Sequence, residues 1–308
     1  MEKRTVRTVL ITGCSDGGLG AALAVAFQKH RSYRVFATAR NTDKMAHLTS
    51  LGIETLELDV TSEESIKACV DKVSSLTGGT LDVLVNNAGA AYNIPILDAS
   101  LPEIRKQFDL NVFGPVLLIQ AFFPLLRKST STTKLIVNNT SCAPVLAFPF
   151  IGPYTASKST LSSFSETLRL ELQPFNIKVV DLKTAGVQSH FFDNVKNQAL
   201  VSTAPTLPET SPYAPGKDVV EKFMRDGPSV KLMDADVWAK EIVRDLSKGE
   251  GRRAPNRVWR GTGAFSAWFA SAAVPVGWLD GTIKKFSGLD IVEKRVRDEG
   301  RKMTERQQ

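Results

Sequence analysis

Tyr154 and Lys158 stand four residues apart in a stretch that continues with Leu161, Phe164, Leu168 and Leu172. Apolar residues at that spacing mark one face of a helix, and side chains at i and i+4 share a face. The ammonium is therefore expected one turn beyond the phenol, pointing the same way. A free tyrosine titrates near pH ~10 and is a poor acid at neutrality, whereas a neighbouring cation favours the phenolate. The spacing thus predicts a lowered Tyr154 pKa and an acid-base group poised near working pH. Such a pair is also a common accident of amphipathic helices, so its meaning depends on the elements around it.

Those elements alternate. A buried strand at 7–12 runs into Gly13-Cys14-Ser15-Asp16-Gly17-Gly18-Leu19-Gly20, followed by an alanine-rich helix at 21–29. Strand, glycine turn and helix form a phosphate cradle: glycines admit the backbone close to a pyrophosphate, and the helix N-terminus offers amide donors and partial positive charge. A second strand at 33–39 ends in Arg40, where an NAD-binding chain typically places an acid for the ribose hydroxyls. A guanidinium there forks onto a 2′-phosphate, which predicts NADPH/NADP+ rather than NADH.

A third strand at 53–58 leads to Asp59, placed for the adenine amino group or for capping. Thr61 with Glu64 resembles a capping box. A fourth strand at 82–85 enters Asn86-Asn87-Ala88-Gly89, which lines the crevice or makes a turn. Two helices follow, and the second carries Asn111, whose amide needs a partner in apolar surroundings. Strands at 134–138, 177–182 and 256–260 complete the series, with Thr140 and Ser141 just past the first of these. The alternation predicts a doubly wound parallel sheet, an α/β Rossmann fold. A single catalytic domain is expected over residues 1–250, with an extension at 251–308.

The 308 residues suit one large α/β domain. A net charge of +7 is spread along the chain and reads as a basic surface, so no nucleic-acid partner is expected. Three isolated cysteines and no secretory signal fit reduced thiols in the cytoplasm. His30, His47 and His190 have no ligand-like spacing, and no metal is expected.

With the glycine turn, Asn86-Asn87-Ala88-Gly89, Asn111, Ser141 and Tyr154/Lys158 in order over residues 6–190, the chain resembles the short-chain dehydrogenase/reductase family. The closer likeness is to its fungal NADPH-dependent 1-acyldihydroxyacetone-phosphate reductases, through Leu207-Pro208-Glu209-Thr210-Ser211, Tyr213, Trp259-Arg260-Gly261-Thr262 and the tail from Val274-Pro275 to Phe286. The resemblance implies a catalytic set of Asn111, Ser141, Tyr154 and Lys158, with Asn111 holding a water that connects Lys158 to solvent. It implies cofactor contacts from Gly13, Ser15, Gly18, Leu19, Gly20, Arg40, Asp59, Val60, Asn87, Ala88, Gly89, Val187 and Ser189, and from Tyr154 and Lys158. Two departures stand out: the glycine turn is one residue longer than usual, and Ala185-Gly186 replaces the usual Pro-Gly. Dimers or tetramers are frequent in such a family, so a homodimer is an expectation here.

The proline-rich stretch at 189–228 reads as an irregular substrate lid, with a helix expected at 230–247. Residues 261–279 carry no charge but are broken by Pro275 and Gly277, which argues against a membrane span. Two readings of 261–286 stay open: an interfacial segment on endoplasmic reticulum or lipid droplets, or a cover over the pocket. The expected substrate is a hydrophobic small-molecule ketone or alcohol. A tailoring reductase of a fungal polyketide or terpenoid pathway is the alternative enzyme, and a non-catalytic NADPH-binding protein the alternative class.

Overall fold

A computed structural model of the chain describes residues 6–30, 32–189, 206–247 and 255–306. Seven parallel strands pair in the order β3-β2-β1-β4-β5-β6-β7. They are β1 (Arg7–Thr12), β2 (Tyr33–Ala39), β3 (Glu54–Glu57), β4 (Val83–Asn86), β5 (Lys134–Asn139), β6 (Ile177–Thr184) and β7 (Arg257–Arg260). Both faces of the sheet are apolar, as parallel sheets require. In β1, Val9 and Ile11 enter one core with α1 (Leu19–Lys29), while Leu10 enters the other. The direction of winding reverses between β1 and β4, and crevices that hold ligands open at the carboxyl ends of strands at such a switch.

The remaining helices are α2 (Ala46–Ser50), α3 (Glu63–Thr77), α4 (Leu101–Phe108), α5 (Gly114–Lys128), α6 (Ala143–Leu146), α7 (Gly152–Glu171), α8 (Lys217–Asp226), α9 (Ala235–Ser247), α10 (Ala264–Ala273), α11 (Asp280–Ser287) and α12 (Leu289–Arg306).

Several expectations change. Ser62, not Thr61, caps α3: its hydroxyl accepts from the Ser65 amide at 3.2 Å and donates to Glu64, while Thr61 is held by Asp59. The two helices after β4 form one rod over 101–128, joined by a π turn at Asp109–Phe113. This rod is long and apolar enough to cross a membrane, but more than half of its apolar part is buried in the fold, against the sheet and α3. Helix α9 starts at Ala235, not 230, because Asp234 accepts from the amides of Asp236 and Val237 and fixes the first turn.

The lid is not irregular throughout. Most of its first half lies outside the described residues, but α8 is a regular helix whose Val220, Phe223 and Met224 pack with Tyr92, Ile94, Phe150 and Val292. Strand β7, which the sequence places in the extension, is the last strand of the sheet. The part outside the sheet therefore begins after Arg260.

Candidate active site

A cleft of about 1570 Å³ runs along the carboxyl ends of the strands. That exceeds the about 300–1,000 Å³ usual for one small ligand and leaves room for a dinucleotide and a substrate together.

At one end, β1 turns into α1 through Gly13, which has φ +72°. A Cβ on Gly13 would stand 2.7 Å from the Ala88 backbone, so only glycine fits. The extra residue of the turn is resolved by conformation: Gly17 is left-handed at φ +75° and off the cleft, while Gly18 lines it as the N-cap of α1. Helix α1 has no side-chain cap and no acid in its first turn, so its amides and positive dipole end are left for an anion. Ser15 and Leu19 line the same wall. Gly20 does not: it is buried behind the turn, where a Cβ would meet the Gly13 oxygen at 2.4 Å and the Asn87 amide at 2.6 Å. Its place is packing α1 onto the turn.

Arg40 reaches the cleft from the end of β2, and Lys44 joins it, four residues on. The sequence reading missed Lys44, although its spacing from Arg40 on a tight turn was the available signal. Asp59 and Val60 line the adjoining wall. The Asp59 carboxylate already accepts from the Thr61 amide at 2.9 Å and hydroxyl at 2.7 Å, which makes a turn ahead of α3 rather than its cap, the cap being Ser62.

A hydrogen-bonded chain ties the strand ends together beneath the cleft. The Thr12 hydroxyl accepts from the Asn87 and Ala88 amides at 3.0 and 2.9 Å. The Asn87 side chain donates to the Thr12 carbonyl at 2.8 Å and accepts from Asn139 at 2.9 Å; Asn139 accepts from Thr184 at 2.6 Å. Four strands are thus clamped by side chains with no charge. Asn139 and Thr184 were not singled out from the sequence, because strand pairing alone brings them beside Asn87.

The catalytic candidates converge on this clamp. Lys158 is buried, and its ammonium donates to the Asn139 carbonyl at 2.8 Å. Ser141 and Tyr154 are hydrogen-bonded, and Ser141 also accepts from the Ala143 amide at 3.1 Å. Gly89 lies against the lysine: a Cβ there would be 3.3 Å from Nζ and 3.0 Å from the Asn111 oxygen. Asn111 is fully buried and does not line the cleft. It accepts from the Ala90 amide at 3.0 Å and donates to the Ala90 carbonyl at 2.9 Å and to Ser157 at 3.0 Å. Both of its amide hydrogens and one lone pair of its amide oxygen pin residue 90 to α7. Its π turn is the kind of helical irregularity that concentrates at functional sites.

The predicted pKa sign is corrected by burial. Tyr154 lines the cleft half-buried, and desolvation pushes its phenol up to about 12, against the pull of the Ser141 hydrogen bond. Lys158 is pushed down to about 8, also by burial, with the Asp181 carboxylate pulling it back up. Burial is the largest cause of the shift in each group.

The far wall comes from β6 onward. Val187 pairs with Met233, and Gly186 exchanges backbone hydrogen bonds with Thr262 at 3.1 and 3.0 Å. Ala185 and Gly186 therefore hold the chain in place without the usual proline, and Val187 and Ser189 line the cleft. Phe265 and Phe269 of α10 and Ile283 and Phe286 of α11 cover the apolar end, while Ala264 and Ala267 seat α10 on Cys142, Leu146 and Trp259.

The residues present fit a nicotinamide dinucleotide: a turn that excludes any Cβ, uncapped helix donors, and two cations beyond β2. Comparison with known proteins agrees. The short chain dehydrogenase family model matches residues 7–200. A short-chain dehydrogenase/reductase of Pestalotiopsis microspora (GME11361) is 45% identical over 295 residues, covering 94% of this chain and 97% of that one. An NADPH-dependent 1-acyldihydroxyacetone phosphate reductase of Schizosaccharomyces pombe is 38% identical over 224 residues, covering 70% and 73%. A short-chain dehydrogenase structure from Streptomyces avermitilis superposes with a TM-score of 0.70 at 27% identity, over 94% and 98% of the two chains. On the strength of this fold, this clamp and these matches, the chain belongs to the short-chain dehydrogenase/reductase family of oxidoreductases.

Proposed function

We propose that the protein reduces a ketone to a secondary alcohol with NADPH, on a bulky apolar substrate. The observation that supports this most is the Ser141–Tyr154 hydrogen bond, set in a cleft that holds a phosphate cradle at one end and an aromatic cover at the other. Arg40 and Lys44 favour the 2′-phosphate, in line with the cofactor in the name of the Schizosaccharomyces pombe relative.

Bound NADPH supplies hydride to the carbonyl carbon. Tyr154 gives its hydroxyl proton to the carbonyl oxygen, and the Ser141 hydroxyl holds that oxygen as negative charge develops on it. Lys158, fixed by the Asn139 carbonyl, stabilises the phenolate left behind and holds the nicotinamide ribose. Asn111 is a positioning residue that locks residue 90 and Ser157 around this group. Consumption of NADPH against a panel of hydrophobic ketones tests the reading; no consumption with any of them overturns it.

Two substrate classes suit such a cleft. The sequence resemblance and the yeast relative's name point to a 1-acyldihydroxyacetone phosphate, and the uncharged lining points to a neutral ketone of polyketide or terpenoid type. Phe265 (74% exposed), Trp278 (79%) and Val276 also present apolar surface to solvent, in a segment that carries Lys285. Exposed apolar side chains in a segment with a nearby lysine in sequence suit peripheral contact with a lipid surface.

A further inference from the structure

The charges along the cleft are unevenly placed. Among the described lining residues the charged ones are Asp16, Arg40, Lys44, Asp59, Lys158 and Asp226. The first four stand at the β1–β3 end, where the glycine turn and Arg40 receive the cofactor's phosphates. Lys158 is buried beside Gly89 with its ammonium on the Asn139 carbonyl. Beyond Tyr154, where the substrate would lie, the described walls are Leu146, Phe148, Ile151, Phe223, Phe265 and Phe269 with their neighbours, and among the described residues the one charged group there is the carboxylate of Asp226.

This distribution bears on what is reduced. In a 1-acyldihydroxyacetone phosphate only one carbon and one ester oxygen separate the phosphorus from the carbonyl carbon. The phosphate therefore stays within two atoms of the carbonyl that meets Tyr154, against these same walls. It carries about −1.5 to −2 charges at neutral pH and needs arginine, lysine or several amide donors when enclosed. Among the described residues, the feature there that attracts an anion is the N-terminus of α10 at Gly263, which has no acidic residue in its first turn. One helix terminus is a weak attraction, and it does not offset the desolvation of an otherwise uncompensated dianion.

We propose that the site takes an uncharged ketone, or the corresponding secondary alcohol, carrying an extended apolar body, and discriminates against a ketone with a phosphate next to its carbonyl. This rests on the reductase reading above and narrows its substrate class. The neutral molecule leaves the cations of the described cleft to the cofactor and brings no anion up to Asp226, and its apolar body fills the space under α10 and α11.

The test compares a matched pair, a 1-acyldihydroxyacetone and its 3-phosphate with the same acyl chain. Two quantities are read on the full chain: kcat/KM with NADPH, and the shift in melting temperature caused by each ketone without NADPH. The proposal expects kcat/KM at least tenfold higher for the neutral ketone, and a melting shift with the neutral ketone alone. Equal or better turnover of the phosphate, or equal melting shifts, overturns it. No turnover of either ketone with a shift from the neutral one alone would sink the reductase reading yet support the preference for an uncharged ligand.

Discussion

Two residues carry predictions that separate binding from chemistry. Arg40→Asp replaces the guanidinium beyond β2 with a charge that repels a 2′-phosphate. A charge-assisted contact is worth about 1.5–3 kcal/mol, so NADPH affinity should fall on the order of 10- to 100-fold while NADH affinity holds or rises. Titration with both cofactors reads this directly, and an unchanged NADPH preference would assign the 2′-phosphate to Lys44 or elsewhere. Lys158 bears on stability. Burial lowers its pKa from 10.5 to about 8, so the unfolded chain binds more protons than the folded one between those values. Stability therefore rises with pH from about 8 to 10.5, and below about 8 the buried ammonium costs the apoprotein the full amount, on the order of 3 kcal/mol. Lys158→Met should look most stable relative to the parent at or below pH 8 and lose that advantage as pH rises toward 10.5, followed by thermal melts across pH. An advantage that does not change with pH would contradict the burial account. The pairing of Tyr154 with Lys158 was legible from their spacing; the direction of their pKa shifts was not, because spacing says which groups are neighbours and nothing about how much water the fold removes from them.

At the scale of elements, the glycine turn and the cover set the two ends of the site. Gly20→Ala puts a methyl where the Gly13 oxygen and the Asn87 amide already lie, and α1 must move off the turn. A loss of about 1–3 kcal/mol in stability is expected, together with weaker NADPH binding, read by thermal melts and titration. Replacing Phe265 and Phe269 together by alanine strips apolar surface from the cover. At ~25 cal/mol per Å² the KM for a long-chain ketone should rise about tenfold, with little change for a short one. The same variant, floated with anionic vesicles, should bind them less than the parent does; undiminished binding would remove α10 from any lipid contact. Most elements were readable to within a few residues from apolar periodicity and turn residues. Helix α8 was obscured by the prolines around it, although Val219, Val220, Phe223 and Met224 between charged residues were the available signal. The π turn at Asn111 was hidden because nothing in a local sequence separates a π turn from the helices it joins.

For the molecule as a whole, the parallel sheet and its switch between β1 and β4 followed from strands alternating with helices, and the site follows from the switch. What no single segment revealed is the clamp of Thr12, Asn87, Asn139 and Thr184, since its members meet only when four strands are in register. The same holds for the third core, where α8 and α12 come together over Tyr92 and Phe150. Cys14, Cys69 and Cys142 are buried in these cores, and burial pushes each thiol up to about 12, so they behave as packing rather than as nucleophiles. The central claim is that a proton from Tyr154 accompanies hydride transfer to a carbonyl lodged under the aromatic cover. The most direct measurement is NADPH consumption with a neutral long-chain ketone, run side by side on the parent chain and on Tyr154→Phe, with NADPH affinity titrated for both. The account predicts that kcat falls about 10²- to 10⁴-fold in the variant while NADPH affinity stays within a few-fold; a variant that keeps turning over near the parental rate would contradict it.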